Sequence, residues 1–336
     1  MGKRNVIGLV ALVIVLLLIP RLLGNPYYLG VLVWCGIYSL ACIGLSLFMG
    51  YCGQISLGHA GFCALGAYIS GILTTKAGFA PWPAMLVAII ASLIVALAVG
   101  LPALRLRGHY LAMATLGFGV IVYVVAEGNP FGLTGGPSGF WGVPKLSVFG
   151  LAVNDEVRWY YLVWGIVLVI MVLLLNMVNS RVGRALKSIH GGETAAKAMG
   201  VNTARYKIGV FLLSAALASV AGSLYAHYVG FVNPEPFSLV FSIHLVTMVV
   251  VGGMTNLWGA IAGTALLTIL TRYFRVFKEI GLLLDGFILI VIMLLFPQGL
   301  FVGAAKKLAG LFRRAHPSIH SNSGGHPKKH EEVPAA

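Results

Sequence analysis

Residues 22 to 75 read LLGNPYYLGVLVWCGIYSLACIGLSLFMGYCGQISLGHAGFCALGAYISGILTT, without one Asp, Glu, Lys or Arg. A bilayer-spanning helix needs about 20 apolar residues, so this stretch reads as membrane. It is too long for a single crossing, and Gly50, Gly53 and Gly58 mark where it breaks. Further uncharged runs occupy 77 to 104, 108 to 126, 159 to 180, 208 to 234, 236 to 271 and 286 to 305. The 336-residue chain is 59% hydrophobic and only 10% charged, where a soluble domain carries roughly 25% charge. A soluble enzyme is excluded. Glycine, at 43 residues, is nearly double its ~7% average, and membrane helices use it to bring backbones close.

The first apolar run, Val6 to Ile19, follows Lys3 and Arg4 as in a signal peptide, but no small-x-small cleavage site follows. We read it as an uncleaved first helix. Further apolar segments lie at about 28–49, 59–75, 84–101, 110–126, 159–178, 208–230, 239–253, 256–271 and 280–296. The run 236–271 would span about 54 Å as one helix, against a hydrocarbon core of about 30 Å. It breaks at Gly252-Gly253, with Thr255 and Asn256. Such breaks either reach water or line a cavity at membrane depth. The expected fold is an all-α polytopic membrane bundle of about ten segments with glycine-broken helices over residues 1–312, followed by a polar tail from 313 to 336.

The formal charge of +14 would suit nucleic acid if it were clustered in a soluble domain. Here it sorts by side instead. With the N-terminus inside, the segments on the cytoplasmic side hold 16 of the 23 Lys and Arg residues, as the positive-inside rule requires. Both termini are then cytoplasmic. The basic group Arg272, Arg275 and Lys278 falls on the wrong side of this count. Cys35, Cys42, Cys52 and Cys63 lie within one apolar stretch without metal-ligand spacing and read as packing residues. The tail contains His316, His320, His326 and His330 amid Ser, Gly, Pro and Lys, a composition that favours disorder over a metal site.

The cytoplasmic loop 179–207 includes the sequence RVGRALKSIHGGETAAKAMGVNTARYK from residue 181 onward. After Gly191-Gly192, residues 193–199 have helical logic. Glu193 suits the first turn and pairs with Lys197 at i,i+4. Gly200 suits a left-handed cap. Ala195, Ala198 and Met199 share a face of small apolar atoms. So short a helix is marginal alone and needs something to dock on.

Glu193, Ala195, Ala196 and Gly200 resemble the motif by which permeases of ATP-binding-cassette importers seat a coupling helix in a groove of an ATPase. An ordered series of further motifs is similar to the branched-chain amino-acid permease family, LivM type. It comprises Gly50-Tyr51-Cys52-Gly53-Gln54-Ile55-Ser56-Leu57-Gly58-His59-Ala60-Gly61-Phe62, Gly66-Ala67-Tyr68, Ala114-Thr115-Leu116-Gly117-Phe118, Leu133-Thr134-Gly135-Gly136-Pro137-Ser138-Gly139, Ala226-His227-Tyr228 and Val251-Gly252-Gly253-Met254. The resemblance covers roughly residues 30–300. It implies a multi-pass subunit of the bacterial inner membrane, working with a second permease, two cytoplasmic ATPases and a periplasmic or lipid-anchored amino-acid-binding protein. ATP and magnesium would then sit on the ATPases, with no cofactor, metal or catalytic residue in this chain. The chain agrees by omission, since it holds no G-x-x-x-x-G-K-[ST] phosphate loop.

Gln54, Ser56 and His59 are polar residues in a broken apolar run, where transporters expose groups to solute. Equally, such residues tie helices together. Asp285 is an intramembrane carboxylate and so a candidate for proton relay, or it reaches the interface. The small residues Ala215, Ser219 and Ser223, with Ala218, Gly222 and Ala226, read as packing faces, as does Gly259-x-x-x-Gly263. An ion-coupled secondary transporter, a urea or short-amide permease and a membrane scaffold are the competing readings.

Overall fold

The computed structural model describes residues 3 to 273, apart from 23, 107, 131, 149 and 150. The expected segment 280–296 with Asp285, the stretch 297–312 and the tail therefore lie outside the described residues. The helices are α1 (Lys3–Leu22), α2 (Pro26–Ser46), α3 (His59–Thr75), α4 (Pro81–Ala103), α5 (His109–Gly128) and α6 (Glu156–Val178). After them come α7 (Arg181–Gly191), α8 (Glu193–Ala198), α9 (Thr203–Val229), α10 (Leu239–Gly252) and α11 (Leu257–Tyr273). Four two-residue strands lie in the connections: β1 (Phe140–Trp141), β2 (Ser147–Val148), β3 (Leu151–Ala152) and β4 (Phe231–Val232). β1 pairs antiparallel with β4, and β2 with β3.

Local chemistry sets the helix ends. Asn25 caps α2, its side chain accepting from the Tyr27 N–H at 3.0 Å, with Pro26 in the first turn where its missing N–H is not needed. Asn202 caps α9 by accepting from the Arg205 N–H at 3.1 Å.

Five spans are long and apolar enough to cross a bilayer alone: Pro26–Tyr51, Pro81–Ala103, His109–Gly128, Glu156–Val178 and Thr203–Val229. Every apolar segment expected up to residue 271 is helical. The segments α10 and α11 are bent by 120° at their break and form a broken span or re-entrant loop, not two independent crossings. The reason is length. The 14 residues of α10 rise only about 21 Å.

α4 shows why the bundle suits lipid. Its buried residues include Ala84, Ala88, Ser92, Ala96 and Gly100, at strict i,i+4 spacing, beside Met85 and Ala103, while Leu86, Ile90, Ile94, Leu97 and Leu101 are exposed. Small residues face inward and large apolar ones outward, the reverse of a soluble helix. Lipid supplies no hydrophobic drive between helices, so close packing and buried hydrogen bonds hold them together. The Ser92 hydroxyl donates to Ser219 at 3.0 Å, joining α4 to α9. Ser223 donates to the Gly66 carbonyl at 3.0 Å, joining α9 to α3. The six small residues of α9 named above are all buried, as packing faces should be.

The two glycine breaks meet in space. α2 continues into a π-helical turn, Leu47–Tyr51, and Ser46 donates to the Met254 carbonyl at 2.8 Å. A Cβ on Gly50 would lie 1.8 Å from that same carbonyl oxygen, so backbone packs on backbone here. One end of the bundle thus carries both breaks, α7 and α8. The described parts of the connection 129–155, together with 230–238, lie at the opposite end. Arg272 belongs to that opposite end, its guanidinium 4.6 Å from the Trp34 ring.

Candidate functional site

The end bearing the breaks is roofed by α7. Ser180 caps this helix by accepting from the Val182 N–H at 3.1 Å. Gly183, Leu186 and Ile189 are buried against the bundle, leaving Arg184, Lys187 and His190 outside. Lys187 Nζ stands 5.9 Å from the Tyr51 ring centroid, at the limit of a cation–π contact with the π-helical turn. α7 therefore rests on the break in α2.

α8 follows after Gly192 and is fixed to α9 through one residue. Glu193 pairs with Lys207 at 3.0 Å and with Lys197 at 3.1 Å, and it accepts a hydrogen bond from Thr203 at 3.3 Å. The Lys197 pair is the expected i,i+4 contact. The stronger partner is Lys207, whose side chain is only 3% exposed. Burial by itself would raise the Glu193 carboxyl, but the lysines, Lys207 foremost, outweigh it and hold the group below its ordinary value.

The C-terminus of α8 is a Schellman motif. Gly200, at φ +80°, donates to the Lys197 carbonyl at 3.0 Å, and the Val201 N–H reaches back to Ala196 at 3.0 Å. Ala196 is 3% exposed and faces the protein. Ala196 thus turns its methyl group into the protein's own core, away from the face shared by Ala195, Ala198 and Met199. Thr194, Ala195, Ala198 and Met199 form the exposed side, Met199 at 84%. A groove of about 690 Å³ opens beside the cap, between Val182 and Ala185 on one wall and Arg205 and Gly209 on the other.

Gly200→Val should leave the chain in the membrane but loosen α8. No atom lies within 4 Å of a Cβ there, so the strain is conformational, on the order of 1–2 kcal/mol for a left-handed position. Protease sensitivity at 191–201 is expected to rise while the membrane level stays constant.

Ser56 and His59 are brought together, and both are fully engaged. Ser56 Oγ and His59 Nδ1 are 3.1 Å apart, and His59 Nε2 hydrogen-bonds Ser214 of α9. Leu57 N–H donates to Thr115, and Ala60 N–H to Ser242. This network ties the 52–58 break to α5, α9 and α10. Gln54 stands apart, half-buried, donating to the Cys52 carbonyl at 3.4 Å. Among the described residues, no three His, Cys, Asp or Glu side chains could together hold a metal ion.

Sequence reasoning missed Lys207, Thr203 and Ser214. Lys207 left one trace, as the last charge before the uncharged run 208–234.

The sequence profile of the family described as "Branched-chain amino acid transport system / permease component" matches residues 27–297. The chain belongs to this permease family. The "High-affinity branched-chain amino acid transport system permease protein LivM" of Salmonella typhimurium is 33% identical over 287 residues, covering 79% of this chain and 67% of the relative. LivM of Escherichia coli matches with the same identity and coverage. LivH of Salmonella typhimurium is 23% identical over 282 residues, 78% of this permease and 90% of the relative. No solved structure matches the permease. Its helices and family make it a multi-pass membrane transport subunit, and the ordered motifs read from sequence fall within the matched region.

Proposed function

We propose that this permease carries branched-chain or other hydrophobic amino acids across the bacterial inner membrane by alternating access, driven by two separate ATPases that dock on α8. A second, similar permease and a binding protein complete the importer. One observation carries the reading. α8 is clamped to the bundle on one side through Glu193 and Lys207, and exposes Ala195, Ala198 and Met199 on the other. That arrangement transmits a push on α8 to α9, which runs through the centre of the bundle. It also touches the breaks, through α7.

Two observations favour this reading over its rivals. A narrow cleft at mid-bundle is lined by apolar and aromatic residues, including Ile37, Ala41 and Phe241, which suits an aliphatic side chain better than urea. Among the described residues the carboxylates Glu127, Asp155, Glu156, Glu193 and Glu235 all sit at helix ends or in connections, not at mid-membrane where ion coupling works.

The coupling reading is tested by cross-linking. A cysteine at Met199 should capture an ATPase subunit in the assembled transporter, and one at Ser138 should not. Equal capture at both positions overturns it. For orientation, the end carrying Arg181, Arg184 and Lys187 is placed in the cytoplasm. Ser138 and Ser188 are both exposed, so impermeant thiol reagents should label cysteines at these positions from opposite sides, Ser138 from outside. Labelling of both from one side would refute the topology.

A further inference from the structure

The connection from α9 to α10 is built to push one side chain back into the bundle. Gly230, at φ +74°, ends α9. β4 then pairs with β1 and anchors the chain. Pro234 and Pro236 stiffen the next turn, where the Phe237 N–H bonds the Pro234 carbonyl at 2.9 Å. The result is that Phe237, in a connection between helices, is 3% exposed. Its ring lies 5.2 Å from Tyr225 of α9, 6.4 Å from Tyr68 of α3 and 6.4 Å from Phe241 of α10.

Phe237 also lines the mid-bundle cleft, together with Tyr38, Cys63 and Gly222. That cleft leaves about 10 Å³ for a water-sized sphere, at the lower limit for one water, so no amino-acid side chain fits while Phe237 stays in place. On the other side of the Phe237 contact, the hydroxyl of Tyr68, a residue 5% exposed that does not line the cleft, has no hydrogen-bond partner among the described residues. A buried orphan hydroxyl is costly, and withdrawal of Phe237 would give it a partner in water or solute.

We propose that Phe237 is the outer gate residue of this permease: its ring closes the cleft above Cys63, and its withdrawal on the Pro-stiffened turn admits the aliphatic side chain of the cargo. The assignment of cargo and of outer side rests on the proposed function. The closure itself rests only on packing. Because the turn is tethered at β4 and continuous with α10, the gate moves with the helix that meets α2 at the Met254 break.

Cys63 is a native reporter, 2% exposed at the cleft wall. The full chain in proteoliposomes is treated with a membrane-impermeant methanethiosulfonate from the Ser138 side, and labelled thiols are identified by mass spectrometry. Wild type should protect Cys63, and Phe237→Ala should raise its labelling rate by about tenfold or more, a local opening. Phe237→Leu should fall between them, with Cys35 and Cys42 protected throughout. Unchanged protection of Cys63 in Phe237→Ala overturns the gate. So does labelling of Cys35 and Cys42 alongside it, because Phe237 is then ordinary packing for the whole bundle. If Cys63 opens alone but leucine at saturating concentration never shields it, the gate stands and the hydrophobic-amino-acid reading falls.

Discussion

Lys207→Met is expected to abolish uptake by the assembled transporter while leaving the chain at normal levels in the membrane. Lys207 is buried, and its ammonium meets Glu193 at 3.0 Å. Removing one member of such a pair leaves a carboxylate with the half-exposed Lys197 and the Thr203 hydroxyl but no buried counter-charge, a loss on the order of 3 kcal/mol. α8, with six residues, has no helical stability of its own to absorb that. Its remaining attachments are the Thr203 hydrogen bond and the Ala196 contact. ATPase co-purification and uptake should fall together, by at least about tenfold at 1.4 kcal/mol per decade. The double variant Glu193→Gln, Lys207→Met should be less impaired than Lys207→Met, since no buried charge is stranded. A double variant no better than the single one would show that the pair does not act as a clamp. The same contact sets a pH window. A carboxyl held below its usual value of 4.5 stabilises the fold above that pH and loses the contribution only as pH falls through the lowered value. Association of the ATPases should therefore be flat from neutral pH down to about 5, and any loss centred near pH 6.5 would point to a histidine instead.

Gly222→Leu is expected to prevent accumulation of the folded permease. A Cβ on Gly222 would sit 1.8 Å from the Cys63 carbonyl oxygen and 2.6 Å from its carbon, so the obstacle is backbone and cannot rotate away. α3 and α9 would have to part by more than an ångström. That would break the Ser223 bond to Gly66, 3.0 Å long, and strain the His59 bond to Ser214. Overpacking a tight core typically costs 1–3 kcal/mol per inserted group, and here the displaced elements are the two central helices. Even Gly222→Ala should lower the melting temperature in detergent measurably. Gly165→Ala is the control, for no atom lies within 4 Å of its Cβ position, and it should be neutral or slightly stabilising through helix propensity. Equal stability of the Gly165 and Gly222 alanine variants would refute the close approach.

The amino-acid sequence by itself determined that this chain lives in a membrane, where most of its helices lie and where they break. Those properties follow from local quantities: uncharged run length against bilayer thickness, glycine and asparagine at helix ends, and the period of small residues in α9. The left-handed cap at Gly200 and the Glu193–Lys197 pair were legible for the same reason, since both act within one or two turns. The tertiary structure alone decided which residues meet across the fold. Lys207 lies 14 positions from Glu193, Met254 lies 208 from Ser46 and Ser214 lies 155 from His59, and no helical period links them. It also decided the direction of Ala196, which a six-residue helix can turn inward or outward at equal local cost. Packing of the whole bundle, here the Glu193 clamp on α9, chose inward.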